Sequence, residues 1–457
     1  MMGVIVFILF MGAFILARIS VHDRISRITL NIYLGWWGMC LFVSTLDLFG
    51  IYSVSSFTYC LLLLNVFAFM IGFICAVRSY ENSSAQVNYR MIFNSLNNEL
   101  IKHKQIKLGL VFLFAYLFYY YRKFQTVLNV VSSSEARTLR FSAGELFHSV
   151  TEVLVYNLFV DAVAIFLITI VTSTLMLGRL RNWVFSLALV DLALYVSIGA
   201  GRTAVVEAGI FIALLASIRH VIQPPIGPTK AAGQAGNGLG EIPPRKNLLL
   251  FVALPVALLI AFSIYLTAFR TFNTTLDLGL AKAAGMLFLD QAQYYSTGAF
   301  RALDYSLSHI YLYGFHYGAL TFGFVDEIIG YIMKILGIKY TILNQTIGGI
   351  LDQDIYIGTY NFNALYTCVF RYYFDFGIPG VVVFSFGLGA LMRRAIVQFN
   401  KFPCFATLSI YLFLFGVCFL SSQNWYLASS SSIVFLLTAL MLYRLERKRW
   451  RVVQNKK

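Results

Sequence analysis

The chain has 457 residues, 59% of them hydrophobic and only 12% charged, with a net charge of +15 and a mean hydropathy of +0.75. A soluble domain carries about twice that charged fraction, so the composition excludes an ordinary water-soluble fold and calls for lipid as solvent. The basic residues sit in short stretches between apolar runs, not in a stripe interleaved with aromatics, which speaks against nucleic acid as a partner.

Taken in order, the first apolar segment has no early Lys or Arg. A secretory signal would open on a basic region, so Met1 to Ile19 reads as an uncleaved span. Eleven candidate spans follow the requirement for roughly 17–25 apolar residues: 3–19, 29–51, 56–77, 107–121, 152–177, 183–200, 203–218, 248–267, 376–392, 403–421 and 427–443. With the N-terminus outside and strict alternation, the inner segments hold 24 of the 35 Lys and Arg residues. The basic tail from Arg444 to Arg451 is the strongest anchor. This is the positive-inside pattern, and it predicts a cytoplasmic C-terminus. The six cysteines (Cys40, Cys60, Cys75, Cys368, Cys404 and Cys418) contain no Cys-x-x-Cys pair, and most lie in apolar runs. They read as small hydrophobes, with no disulfide framework or zinc site.

The expected fold class is therefore an all-α polytopic membrane helix bundle of about 11 transmembrane helices. Three parts are expected: an N-terminal bundle over 1–267 with a Gly/Pro-rich flexible cytoplasmic linker at 222–244; a large, partly helical outer loop or cap over 268–373; and C-terminal transmembrane helices over 374–457. The cap is rich in tyrosine, including Tyr305, Tyr311, Tyr313, Tyr317 and Tyr360. A connection this long is usually functional or disordered, and this composition is not that of a disordered segment. Within it, 320–337 is predicted as an amphipathic helix at the interface.

Chemistry is concentrated on the outer side. Gly199-Ala200-Gly201-Arg202-Thr203 joins two apolar runs with almost no loop, which holds Arg202 at the membrane boundary. A guanidinium is always charged and grips two phosphate oxygens at once; the alternative is an arginine that snorkels at a span end. Downstream lie Tyr360-Asn361-Phe362-Asn363 and then Arg371-Tyr372-Tyr373-Phe374-Asp375-Phe376-Gly377-Ile378-Pro379-Gly380, leading into a span. Asp375 near a helix start reads as a cap, and Pro379 there costs little. Fixed cations at a site of developing negative charge stabilise a transition state. The outer candidates are Arg202, Arg371, Arg301 and Arg270. His309, His316, Asp352 and Asp354 are the loop groups able to act as a general base, with His309 put forward. The pair Asp352-x-Asp354 lacks a clustered third ligand, so no metal site is expected.

This combination resembles the Wzy-type O-antigen and oligosaccharide repeat-unit polymerases. The likeness lies in the number of spans, the Gly-Arg hairpin, the large outer loop in the C-terminal half, and the Asn…Asp-Phe-Gly-x-x-Gly stretch. The family's Thr three residues after the Asn is displaced here, to Thr367. The resemblance implies a GT-C-like polymerase/ligase architecture in the bacterial inner membrane. It also implies transfer of a glycan from undecaprenyl pyrophosphate to a lipid-linked repeat unit, without metal or cofactor. Arg202, Arg371 and Arg301 would serve the departing pyrophosphate, with Arg270, Asn361, Asn363, Tyr360 and Asp375 binding substrate. Implied partners are the lipid-linked oligosaccharide, membrane lipids, a chain-length regulator and a flippase.

Two readings stay open beside it. An O-antigen ligase shares the architecture. A lipid-linked sugar transporter would use Asp161 and Asp191, carboxylates placed mid-span where ionisable groups are costly and usually paired or functional. Glu152 and Glu207 lie nearer the outer boundary, within reach of Arg202.

Overall fold

The computed structural model describes residues 2–47, 51–76, 104–131, 146–176, 183–199, 203–222, 296–310, 314–343, 346, 355–357, 360–362 and 366–454. The helices among them are α1 (Met2–Ser20), α2 (Arg24–Ser44), α3 (Ser56–Cys75) and α4 (Lys104–Leu128). Next comes α5, which runs from Val150–Val155 through a π-helical turn at Tyr156–Val160 into Asp161–Met176. It is followed by α6 (Trp183–Gly199), α7 (Thr203–Ile222), α8 (296–308), α9 (Gly323–Ile335), α10 (Cys368–Lys401), α11 (Phe405–Leu420) and α12 (Ser430–Gln454). Ten of the eleven proposed spans fall on these helices. The eleventh, 248–267, and the linker 222–244 beyond Ile222 lie outside the described residues. Four helices are long and apolar enough to cross a membrane: Met2–Ser20, Ser56–Cys75, Thr151–Met176 and Cys368–Lys401.

The all-helical expectation has one exception. Ile355–Ile357 and Tyr360–Phe362 pair as a short antiparallel ribbon, with Tyr356 opposite Asn361 and Ile357 opposite Tyr360. The boundary of the C-terminal part also moves. The helix assigned from 374 begins at Cys368, capped by the Thr367 hydroxyl, which accepts from the Phe370 N–H at 3.4 Å. Cys368, Val369, Phe370, Tyr372 and Phe374 are all buried, so the first two turns are core and not loop.

The centre of the bundle is the crossing of α3 and α10. A Cβ on Gly389 would lie 2.0 Å from the Phe69 carbonyl oxygen, and one on Gly72 would lie 2.0 Å from that of Phe386. Only glycine permits backbones this close, the usual device where helices pack without a hydrophobic drive between them. Asn65, buried in α3, accepts from the Ser385 hydroxyl at 2.7 Å, which fixes the rotation of the pair. Around this seam one apolar cluster gathers residues of α1–α3, α5–α7 and α10–α12. A smaller one ties α4 to residues 146–160 and Ile198.

The two ends of the bundle are distinct. At one end, Asp23 before α2 accepts from Arg393 of α10 at 3.2 Å, and Gln398 meets Tyr443. At the other, the start of α10 meets the end of α11 through a Cys368 N–H to Ser421 carbonyl bond of 2.9 Å. Residues 296–310 and 314–322 pack at this second end, against the α2–α3 connection and the start of α10.

Candidate functional site

Among the described residues two polar assemblies hold 296–310 and 314–322 to that end. The first is a clamp on the α2–α3 connection. Arg301 projects from α8 and is 1% exposed. Its Nε donates to the Tyr52 carbonyl at 2.8 Å, Nη1 to the Ser44 hydroxyl and the Thr297 carbonyl at 3.3 Å each, and Nη2 to the Ser44 carbonyl at 3.2 Å and Asp47 at 3.1 Å. Burial pulls the guanidinium pKa below its usual value, opposed by Tyr59, Asp47 and Tyr52. One turn on, Asp304 accepts from the Ser55 N–H at 3.1 Å, the Ser55 hydroxyl at 2.5 Å and the Thr58 hydroxyl at 2.6 Å. The Tyr52 hydroxyl closes the clamp on the Arg301 carbonyl at 2.7 Å. Arg301 was expected at the pyrophosphate. With its fork surrounded by acceptors of this chain, its geometry fits positioning of α8 instead of contact with a leaving group.

The second assembly is a lip where α10 breaks. Gly377 has φ 64° and ψ −154°, a conformation open to glycine and closed to most other residues. Just before the break, the buried Asp375 carboxylate accepts the backbone N–H of Leu320 at 3.2 Å and of Thr321 at 2.5 Å. The sequence reading took Asp375 as a cap on its own helix. It caps a turn 55 residues away instead, because the Gly377 break leaves the carboxylate facing the 314–322 segment. The same segment receives the Arg371 Nη1–H on the Leu320 carbonyl at 3.1 Å, and gives the Thr321 carbonyl to the Trp425 indole N–H at 3.0 Å. The His316 N–H reaches the Phe374 carbonyl at 2.9 Å. Arg371 is partly exposed as a residue, and the carboxylates of Glu327 and Asp375 stabilise its charge.

His309 follows α8. Its Nδ1 lies 2.9 Å from the Tyr305 carbonyl and 2.9 Å from the Ser308 hydroxyl, and its ring stacks on Tyr305 with centroids 4.1 Å apart. A protonated Nδ1 donates to the Tyr305 carbonyl, and an unprotonated one accepts from the Ser308 hydroxyl, so the tautomer decides which bond forms. Tyr360 and Asn361 lie in the backbone ribbon. Arg202, Arg270 and Asn363 lie outside the described residues, as do Asp352 and Asp354.

The carboxylates on α5 and α6 differ from one another. Asp161 follows the π-helical turn and accepts the Tyr195 hydroxyl at 2.8 Å. Such turns recur at functional sites. Asp191 is fully buried on α6, and neither of its oxygens has a hydrogen-bond partner among the described residues. Glu152 accepts the Tyr120 hydroxyl and the His148 N–H at 3.0 Å each.

Sequence reading missed Asp304, Glu327, Trp425 and the π-helical turn. Ser55 followed by Thr58 before an apolar run was a readable helix-start signal, but its acidic partner is 249 residues away. Among the described residues no three His, Cys, Asp or Glu side chains gather as metal ligands.

Fold and site together define a helical membrane protein with a polar assembly at one end of its bundle. Compared with known proteins, the chain matches no family model, no curated protein and no solved structure.

Proposed function

We propose that this chain is an inner-membrane glycosyltransferase that polymerises undecaprenyl-pyrophosphate-linked repeat units at the periplasmic face. Its N-terminus would be periplasmic and its C-terminus cytoplasmic. The observation that carries the reading is Arg371: a guanidinium six residues before the break at Gly377, held on the Leu320 carbonyl at the end of the bundle where residues 296–310 and 314–322 pack. An acceptor hydroxyl attacks the donor's anomeric carbon. The bond to the lipid pyrophosphate breaks, the electron pair leaves on the phosphate oxygen, and the proton passes to a general base, for which His309 is the candidate. Arg371, with Arg202 from the hairpin before α7, would receive the negative charge as it develops. A chain-length regulator and a flippase of the same pathway would be its working partners.

Asp191, without a hydrogen-bond partner among the described residues, favours a second reading, a lipid-linked sugar transporter, since a carboxylate buried in a membrane helix is a common proton-coupling group. Gene deletion followed by gel analysis of the surface glycan separates the readings. Loss of a polymerase leaves lipid A–core capped with one repeat unit. Loss of a ligase leaves bare core with lipid-linked polymer accumulating. Loss of a transporter leaves bare core with single lipid-linked units retained inside. The first pattern, with Arg371→Ala failing to restore the ladder at wild-type protein level, is the expected result. A full ladder from that variant would remove Arg371 from the site.

A further inference from the structure

The face of α9 turned away from the bundle is apolar and has no protein cover among the described residues. Phe322, Val325, Ile329, Ile332 and Leu336 recur at intervals of three and four, and each is between 38% and 64% exposed. That spacing puts them in one stripe along the helix. The opposite side carries Gly323 and Gly330, both buried, with Ile342 packed on Gly330. Glu327 lies on that side too, and accepts the Ser430 N–H at the start of α12 at 3.0 Å. At its other end the helix is seated on α10, where the Phe322 ring meets Phe384 edge-on at 5.6 Å. So α9 braces two helices of the bundle, one of them a candidate span, and its bare stripe is a fixed feature of that brace.

What covers the stripe follows from its surroundings. Phe376, Ile378, Val382, Val383 and Phe386 on α10 are 38% to 62% exposed, along the outward side of a helix apolar enough to cross a membrane. Through the Phe322–Phe384 contact the two exposed strips run into one another. Lys334 and Lys339 stand exposed at the far end of α9, where long basic side chains can reach lipid phosphates while their stems stay in apolar surroundings. A continuous apolar surface that begins on a span and ends in lysines matches the boundary between acyl chains and headgroups.

We propose that α9 lies in the leaflet at this end of the bundle, its Phe322-to-Leu336 stripe covered by lipid and not by water or by another protein. The proposal needs only that the chain spans a membrane, and it stands whichever reaction the chain catalyses. It would also place the lip at Arg371, which shares the 314–322 segment with α9, close to headgroup phosphates.

The test is nitroxide scanning of the full chain in vesicles of phosphatidylethanolamine and phosphatidylglycerol. The exposed Cys60 and Cys75 are first replaced by serine. Ile329→Cys and Ile332→Cys are then labelled beside two references, Val383→Cys on the outward side of α10 and Lys334→Cys on the opposite face of α9. The expected result is that positions 329 and 332 collide with oxygen several-fold more than with a water-soluble nickel chelate, as position 383 does, while position 334 shows the reverse. Nickel-accessible labels at 329 and 332 would put the stripe in water and overturn the proposal. Labels immobilised and shielded from both reagents would mean a protein cover, and would overturn it equally. All four positions are exposed, so labelling leaves the core intact.

Discussion

The clamp on the α2–α3 connection and the lip on α10 use the same chemistry to opposite ends. Each pairs an arginine with an aspartate, and each ties a distant segment to the bundle. In the clamp Arg301 is dry and its fork is taken up by the Tyr52, Ser44 and Thr297 carbonyls, the Ser44 hydroxyl and Asp47. In the lip Asp375 is buried and accepts two backbone N–H groups, and Arg371, partly exposed as a residue, donates to the Leu320 carbonyl. A buried charge that loses its partner is heavily destabilising, so a dry arginine serves to anchor. A partly open one can still meet a ligand. Residue type alone therefore does not separate the two positions; the partners that each arginine meets do.

That contrast can be broken by substitution. Arg301→Ala should be the largest structural effect. It leaves the Tyr52, Ser44 and Thr297 carbonyls without their donor, at about 1–3 kcal/mol for each buried group left unsatisfied, read as a large fall in thermal stability in detergent and in steady-state protein level. Arg371→Ala should leave both near wild type while abolishing glycan chain growth. If the two variants behaved alike, the distinction would fail. Asp375→Asn keeps the shape but weakens the acceptor for Leu320 and Thr321. It should cost about 1.5–3 kcal/mol, the range for hydrogen bonds to a charged group, with protease sensitivity rising first in 314–322. Gly389→Ala probes neither assembly. Its Cβ would collide with the Phe69 backbone, and forcing α3 from α10 should cost about 1–3 kcal/mol, seen as a lower melting temperature with the cap still bound. The smallest effect is expected for Tyr195→Phe, which removes one hydrogen bond to Asp161. About 0.5–1.5 kcal/mol would be lost, measurable by thermal unfolding.

Much of the helical frame was legible because a span is a local property. Twenty apolar residues in a row make the same statement wherever the chain later goes; ten of the expected segments lie on helices, and among the described residues four of those helices are long and apolar enough to cross a membrane. The start of α10 was misplaced because Arg371, Tyr372, Tyr373 and Asp375 look polar in sequence, although Tyr372 and Asp375 are buried. Their partners, Leu320, Thr321 and Trp425, lie 50 or more residues away. The candidate site was legible as a set of residue types on one side of the chain and no further. Arg301 and Arg371 are equivalent there: each reads as an arginine of the expected outer loop. Nothing near Asp304 in sequence announces that it caps the start of α3.

By itself, then, the order of residues determined that this chain is a helical membrane protein, where most of its helices run, and which charged groups are available at each end. These follow from solvent transfer and chain spacing, which act over a few turns. Only the tertiary structure decided that Gly72 and Gly389 bring α3 and α10 into backbone contact, that Asp375 caps a remote turn and that Arg301 is an anchor. Hydrogen bonds and burial depend on which surfaces meet, and contacts between residues hundreds of positions apart leave no mark in any local stretch of sequence.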